Sequence, residues 1–146
     1  MLSKKFVSLL ACCLLFSIGS VCAEAANSPE ALAMAMANAH RSGNVSTIVA
    51  LHHFIPSQNI STDEQRAIAR REWRALIKQF QISGYRLSML SAVEQQQFRT
   101  TDSASLAPVK KLIITLVARH GEKKKTANHY IARVAGRYVF IEPKNR

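Results

Sequence analysis

Cysteine is missing from the whole chain beyond residue 22; the three thiols, Cys12, Cys13 and Cys22, all lie in the first segment. If that segment is removed, what remains has no disulfide and no thiol chemistry, and its core alone must hold the fold. Glycine is scarce, 5 in 146 residues, and none builds a phosphate-cradling loop. Carboxylates are few, 9 Asp and Glu against 20 Lys and Arg, and most fall at helix starts, turns or strand ends rather than in pairs. No Ser-His-Asp set can be assembled. The histidines His40, His52, His53, His120 and His129 are scattered without ligand spacing. His52 and His53, adjacent on a helix, would point about 100° apart and could not share a metal. The sequence therefore carries no recognisable catalytic motif, and neither a metal nor a cofactor is expected.

What is present first is an export signal. Lys4 and Lys5 precede an apolar stretch from Phe6 to Val21, too short for a membrane span, and Val21-Cys22-Ala23 is a small-residue cleavage pattern, with Ala25 and Ala26 as alternatives. Residues 1–23 read as a secretory signal peptide, so the mature chain from about Glu24 is expected to be periplasmic or secreted. As lipoprotein acylation sites, Cys22 is a poor match, with Gly19 and Val21 where Leu and Gly or Ala belong, and Cys12, with Leu9 and Ala11, is a better one preceded by too little apolar run. Residues 24–146 suffice for one modest domain. Without Lys4 and Lys5 the net charge is about +9, a balance that favours anionic partners such as lipid headgroups, surface polysaccharide or nucleic acid.

The mature chain opens with helical signals. Ser28-Pro29-Glu30 is a cap, a first-turn proline and an acid at the positive end of the dipole, and Ala31 to Ala39 has high helix propensity up to Gly43. Met34 and Met36 read as core. Asn44 caps a second helix expected from Val45 to about Phe54, ended by Pro56. Ser61-Thr62-Asp63-Glu64 is a capping box opening the longest helix, to about Phe80, where Gly84 follows as a breaker. Its stripe of Ala69, Trp73, Leu76, Ile77 and Phe80 faces a core, and Arg70, Arg71, Arg74 and Lys78 take the opposite side.

Strands follow. Tyr85, Leu87, Met89 and Val93 alternate with polar residues, and Gln95 to Pro108 reads as a mobile connection. Leu112 to Arg119 is apolar on both faces, a central strand. Beyond the basic tip His120 to Lys125, two strands turn around Gly136, with Ala135-Gly136 or Gly136-Arg137 as the turn. Tyr130, Ala132, Val134, Val139 and Ile141 share one face, expected under the helices; His129, Ile131, Arg133, Tyr138 and Phe140 share the other. The expectation is an α+β domain: three N-terminal helices on one face of a four-stranded antiparallel, curved sheet.

Two passages resemble the nuclear-transport-factor-like (SnoaL-like, cystatin-like cone) superfamily, in its small exported bacterial branch. In Ala39 to Leu51 one helix ends at Gly43-Asn44 and a short one follows, with Asn44 where the family often has Asp. In Thr126 to Ile141 the ending Gly136-Arg137-Tyr138-Val139-Phe140-Ile141 is similar to the family's closing Gly-Arg-Trp-x-Ile, with Tyr138 for Trp. The resemblance implies a cone-like domain over residues 24–146. It also implies that an enzyme would place acids and tyrosines inside the cone, and that members often dimerise sheet to sheet.

Three functions are then open. The foremost is a non-catalytic exported binding or assembly module of the bacterial envelope, with an envelope protein or a small apolar ligand as partner and Trp73, Phe80, Tyr85 and Tyr130 as pocket candidates. The second is a basic protein that binds an anionic polymer or membrane surface through Arg70, Arg71, Arg74 and Lys78 together with Lys123, Lys124 and Lys125; a merely solvated helix face is the plainer account of the arginines. The third is a small isomerase or cyclase, for which Glu72, at the edge of the long helix's stripe, has no second acid, and Tyr130 is the titratable group expected inside. The outer sheet face, with Ile113, Val117, Ile131, Tyr138 and Phe140, is expected to be apolar enough to form a homodimer.

Overall fold

The computed structural model describes residues 27–55, 59–99 and 106–141; the proposed signal peptide and its cysteines lie outside them. The chain forms α1 (Pro29–Ser42), α2 (Val45–Ala50), α3 (Thr62–Gln79), β1 (Phe80–Ser88), α4 (Ala92–Arg99), β2 (Pro108–Ala118), β3 (Lys124–Val134) and β4 (Arg137–Ile141). The strands pair in sequence order as a single antiparallel sheet, β1-β2-β3-β4, giving an α+β fold. Among the described residues no helix is long and apolar enough to cross a membrane.

The helix ends follow their local chemistry. Ser28 Oγ accepts from the Ala31 N–H at 3.0 Å, opening α1, and Gly43, at φ 71°, closes it with a left-handed turn that lets the Asn44 N–H reach the Ala39 carbonyl at 2.8 Å. Asn44 Oδ1 caps α2 through the Thr47 N–H, 3.0 Å. That helix is shorter than its apolar spacing predicts. From Leu51 the backbone turns to pair with the edge strand: the His53 N–H donates to the Phe140 carbonyl at 2.8 Å, and the Phe140 N–H to the Leu51 carbonyl at 2.9 Å. An edge strand exposes unpaired backbone groups, and this isolated bridge satisfies both of Phe140's.

α3 passes into β1 with no intervening residue, Phe80 being both cap and first strand residue. Gly84 is therefore not a helix breaker; it sits inside β1, at the register shift after Ile82. β1 also stops at Ser88, earlier than its alternation suggests. Met89 stands outside the strand, and Val93 belongs to α4, in a stretch expected to be strand and then loop. The signal for α4 was present in Ser91-Ala92-Val93-Glu94: Glu94 Oε2 accepts from the Ser91 N–H at 2.8 Å, and Ser91 Oγ accepts from the Glu94 N–H at 3.2 Å, a reciprocal capping box. Ala135 and Gly136 form the last turn, with φ of 49° and 81°, between the paired Val134 and Arg137.

The core lies between α1–α3 and one face of the sheet. Leu32, Met36 and Ile48 meet Leu112, Ile114, Leu116, Ile131 and Phe140, all fully buried, and Trp73, Leu76 and Ile77 of α3 pack on their edge. Met34, in contrast, is 54 % exposed and not part of it. The two residue sets expected on the faces of β3 and β4 are each intact, but their sides are exchanged. β2 pairs Leu112 with His129 and Ile114 with Ala127, so His129, Ile131, Tyr138 and Phe140 turn toward the helices and Tyr130, Ala132, Val139 and Ile141 away. The loop of Arg119 to Lys123 between β2 and β3 fixes this register, and no periodicity within either strand reports it.

The outer face is not bare. α4 lies over it, with the Phe98 ring 4.8 Å from that of Tyr130. Of the five residues expected to form a dimer patch, only Ile113 and Val117 lie there, both half-buried; Ile131 and Phe140 are 0 % exposed in the core, and Tyr138 packs against it. The apolar area that argued for a sheet-to-sheet dimer is therefore mostly interior.

Candidate functional site

The interior where a cone-like fold would hold a ligand is occupied by rings. Trp73, on the sheet-facing side of α3, has His40 of α1 at 6.1 Å between ring centroids, His52 at 6.1 Å and His129 of β3 at 5.5 Å. Phe140 of β4 closes the group, 5.4 Å from His52 and 5.9 Å from His129. His52 Nδ1 donates to the Ile48 carbonyl at 2.8 Å, which holds its ring over the sheet. His40 is fully buried, and neither of its ring nitrogens has a hydrogen-bond partner among the described residues. Burial first, then the positive charge of Arg119, His129 and Arg41, holds its pKa below the ordinary histidine value.

Three of the five scattered histidines, His40, His52 and His129, thus converge in three dimensions, which sequence spacing did not disclose. The signals were there singly. His40 continues the buried stripe of Leu32, Ala33, Met36 and Ala39; His52 lies one turn beyond Ile48; His129 alternates with Ile131. Convergence alone does not make a site. Among the described residues no set of three or more His, Cys, Asp or Glu is placed to hold a metal ion.

The four pocket candidates do not share one space. Phe80 is buried under α3 with Trp73 beside the same core, and the Lys125 ammonium lies 4.0 Å above its ring. Tyr85 is 38 % exposed, with the Arg41 guanidinium 5.9 Å over its ring. Tyr130, expected inside, is on the opposite face of the sheet. There its hydroxyl donates to Glu94 Oε1 at 3.3 Å. Lys111 Nζ meets both carboxylate oxygens of Glu94, at 2.8 and 2.9 Å, and the two side chains are only 15 % and 14 % exposed. The Lys111 hydrogen bond first, then the Ser91 N–H, brings Glu94 down to a pKa of about 2 against the opposing effect of burial. It is a paired, permanently ionised carboxylate, unsuited to proton transfer near neutral pH. Glu72 is exposed on α3.

The two cationic groups separated in sequence do come together. Arg70, Arg71, Arg74 and Lys78 are exposed along α3. At its last turn the Arg119 side chain donates through Nε to the Ile77 carbonyl at 2.8 Å, and the Arg119 N–H donates to the Gln79 carbonyl at 2.9 Å. These bonds seat the β2–β3 tip against the helix end, where carbonyls lack intrahelical partners and a cation is favoured. Lys123, Lys124 and Lys125 follow on the same tip, all exposed. No known protein family, curated protein or solved structure matches this chain.

Proposed function

We propose that this chain is a non-catalytic, exported binding or assembly module of the bacterial envelope, with a cone-like domain whose surface rather than its interior is the working part. The observation that carries the reading is the state of Tyr130, the titratable group expected inside, and of the carboxylate it meets. Tyr130 and Glu94 are tied to each other and to Lys111 on the face away from the core. Glu72 is exposed on α3, and the interior around Trp73 gathers His40, His52, His129 and Phe140. A proton-transfer site needs a carboxylate of tuned pKa facing a substrate space. The filled interior also favours a partner on the surface over a small apolar ligand within. Register shifts in β1 after Ile82 and in β2 after Pro108 supply the local bends that a cone-like sheet needs.

Two measurements test the reading. Expressed with its leader in a Gram-negative host, the protein is expected in the periplasm with an N-terminus near Glu24; an uncleaved chain in the cytoplasm overturns export. A screen of purified protein against esters, ketosteroids and lactones is expected to show no turnover. Turnover lost on Tyr130→Phe or Glu72→Gln would make it an enzyme.

A further inference from the structure

We infer that the end of the molecule built from α3 and the β2–β3 tip is a docking track for a linear, acidic polysaccharide. The inference rests on the reading of the chain as an exported binding module and names its partner class. Arg70, Arg74 and Lys78 recur every four residues, so they form a row along one side of α3 that spans about 12 Å. The row runs into the tip, because Arg119 is bonded to the backbone of Ile77 and Gln79. From there Lys123 continues it, while Lys124, paired with Val117, lies on the face of the sheet away from α3. Two acids are near in sequence: Glu72 lies on another side of α3, well off the row, and Glu122 stands alone in the tip.

The acids that make ion pairs are elsewhere. Among the described residues the ion pairs are Glu30 with Lys110, Glu94 with Lys111, and Asp63 with Arg66 in the first turns of α3. Lys110 and Lys111 stand at the far end of β2, about 26 Å of strand from Arg119. No described ion pair involves Arg70, Arg74, Lys78, Lys123 or Lys124. Cations are concentrated along this row with Glu72 off it, while Glu30 and Glu94 are paired at the other end of β2, which makes it an electrostatic track and not evenly mixed charge.

The composition of the track selects the partner. The exposed large apolar residues are Met34, Ile60, Tyr85, Met89, Val93 and Val109; none belongs to the row or the tip, so nothing there would wedge between lipid tails. No exposed aromatic interleaves with the cations, so nothing there stacks on unpaired bases. What remains is spaced guanidinium and ammonium groups on a rigid helix. These suit a chain of sulfate, phosphate or carboxylate groups, with arginine supplying forked hydrogen bonds to each anion.

The test uses the mature protein and heparin as the probe. Binding is expected to weaken steeply as salt rises, through release of condensed counterions. Arg74→Gln/Lys78→Gln is expected to lower affinity about tenfold at low salt and to reduce the magnitude of the salt slope by about 2. Arg86→Gln/Arg133→Gln removes the same net charge from the sheet and is expected to change affinity less than about twofold. Equal losses in the two variants, or a salt-independent curve, overturn the track. Tighter binding to vesicles containing 30% phosphatidylglycerol, or to duplex DNA, at matched salt overturns the choice of polysaccharide. Unchanged thermal unfolding of the variants excludes misfolding as the cause. Failure here leaves the binding-module reading standing; turnover of a small substrate would remove that reading without touching the heparin result.

Discussion

The two ends of β2 carry similar charges and treat them in opposite ways. At one end Lys110 meets Glu30 of α1 at 2.7 Å, and Lys111 meets Glu94 of α4 at 2.8 Å. At the other, Arg119 holds the last turn of α3, Lys125 lies over the Phe80 ring, and Lys123 and Lys124 are exposed. At the first end cations fasten helices to both faces of the sheet, and their removal is a question of stability. At the second end the structure leans on Arg119 and on Lys125 over Phe80, and no described ion pair involves Lys123 or Lys124. A net charge says nothing of this division; only the position of the carboxylates does.

The sharpest way to break the comparison is Lys111→Met. It leaves the Glu94 carboxylate, only 14 % exposed, without its cation, and is expected to cost about 3 kcal/mol by denaturant unfolding. A cost under about 0.5 kcal/mol would mean that the pair at this end is as idle as a surface ion pair.

Acid probes the same end without mutation. Glu94 has a folded pKa of about 2, well below its ordinary 4.5, so the unfolded chain binds more protons between these values. The stabilisation is complete above the ordinary value and is lost as pH falls through about 2, to the extent of about 2 kcal/mol once solvent screening is allowed for. His40 acts earlier, because its folded pKa lies below 6.5. Stability is expected to begin falling as pH drops below 6.5, since the unfolded chain takes the proton first. Unfolding curves from pH 8 to pH 2 check both: His40→Leu should remove the early part of the decline, and Lys111→Met/Glu94→Met the late part.

At the cationic end, Arg119→Gln is expected to cost about 1 kcal/mol, the worth of one hydrogen bond to a helix-terminal carbonyl. The smallest effect belongs to Lys123→Gln/Lys124→Gln, within about 0.5 kcal/mol in unfolding, although Lys123 lies on the track proposed to bind an acidic polysaccharide. A large stability loss in that double variant would erase the distinction between the two ends.

Much of this architecture was legible residue by residue. Ser28, Asn44 and Ser61 were readable as caps because capping is settled within four residues, and Gly136 marked its turn because few residues accept a positive φ. The residue sets on β3 and β4 were readable for the same reason, since alternation is a property of one strand. α4 was legible and overlooked: Val93 and Glu94 fit a strand's alternation as well as they fit the capping box that formed.

The sequence by itself determined the helix starts, the order of the strands in a meander, the scarcity of acids and the expectation of export. Tertiary structure alone decided which face of the sheet the helices cover, that Tyr130 lies outside and Phe140 inside, that His40, His52 and His129 gather around Trp73, and that the α3 cations meet the hairpin tip. The reason is the range of the interactions. Caps, turns and periodicity are satisfied between neighbours in the chain. Face, register and the pairing of a lysine with one carboxylate rather than another depend on groups brought together only when the sheet closes against its helices.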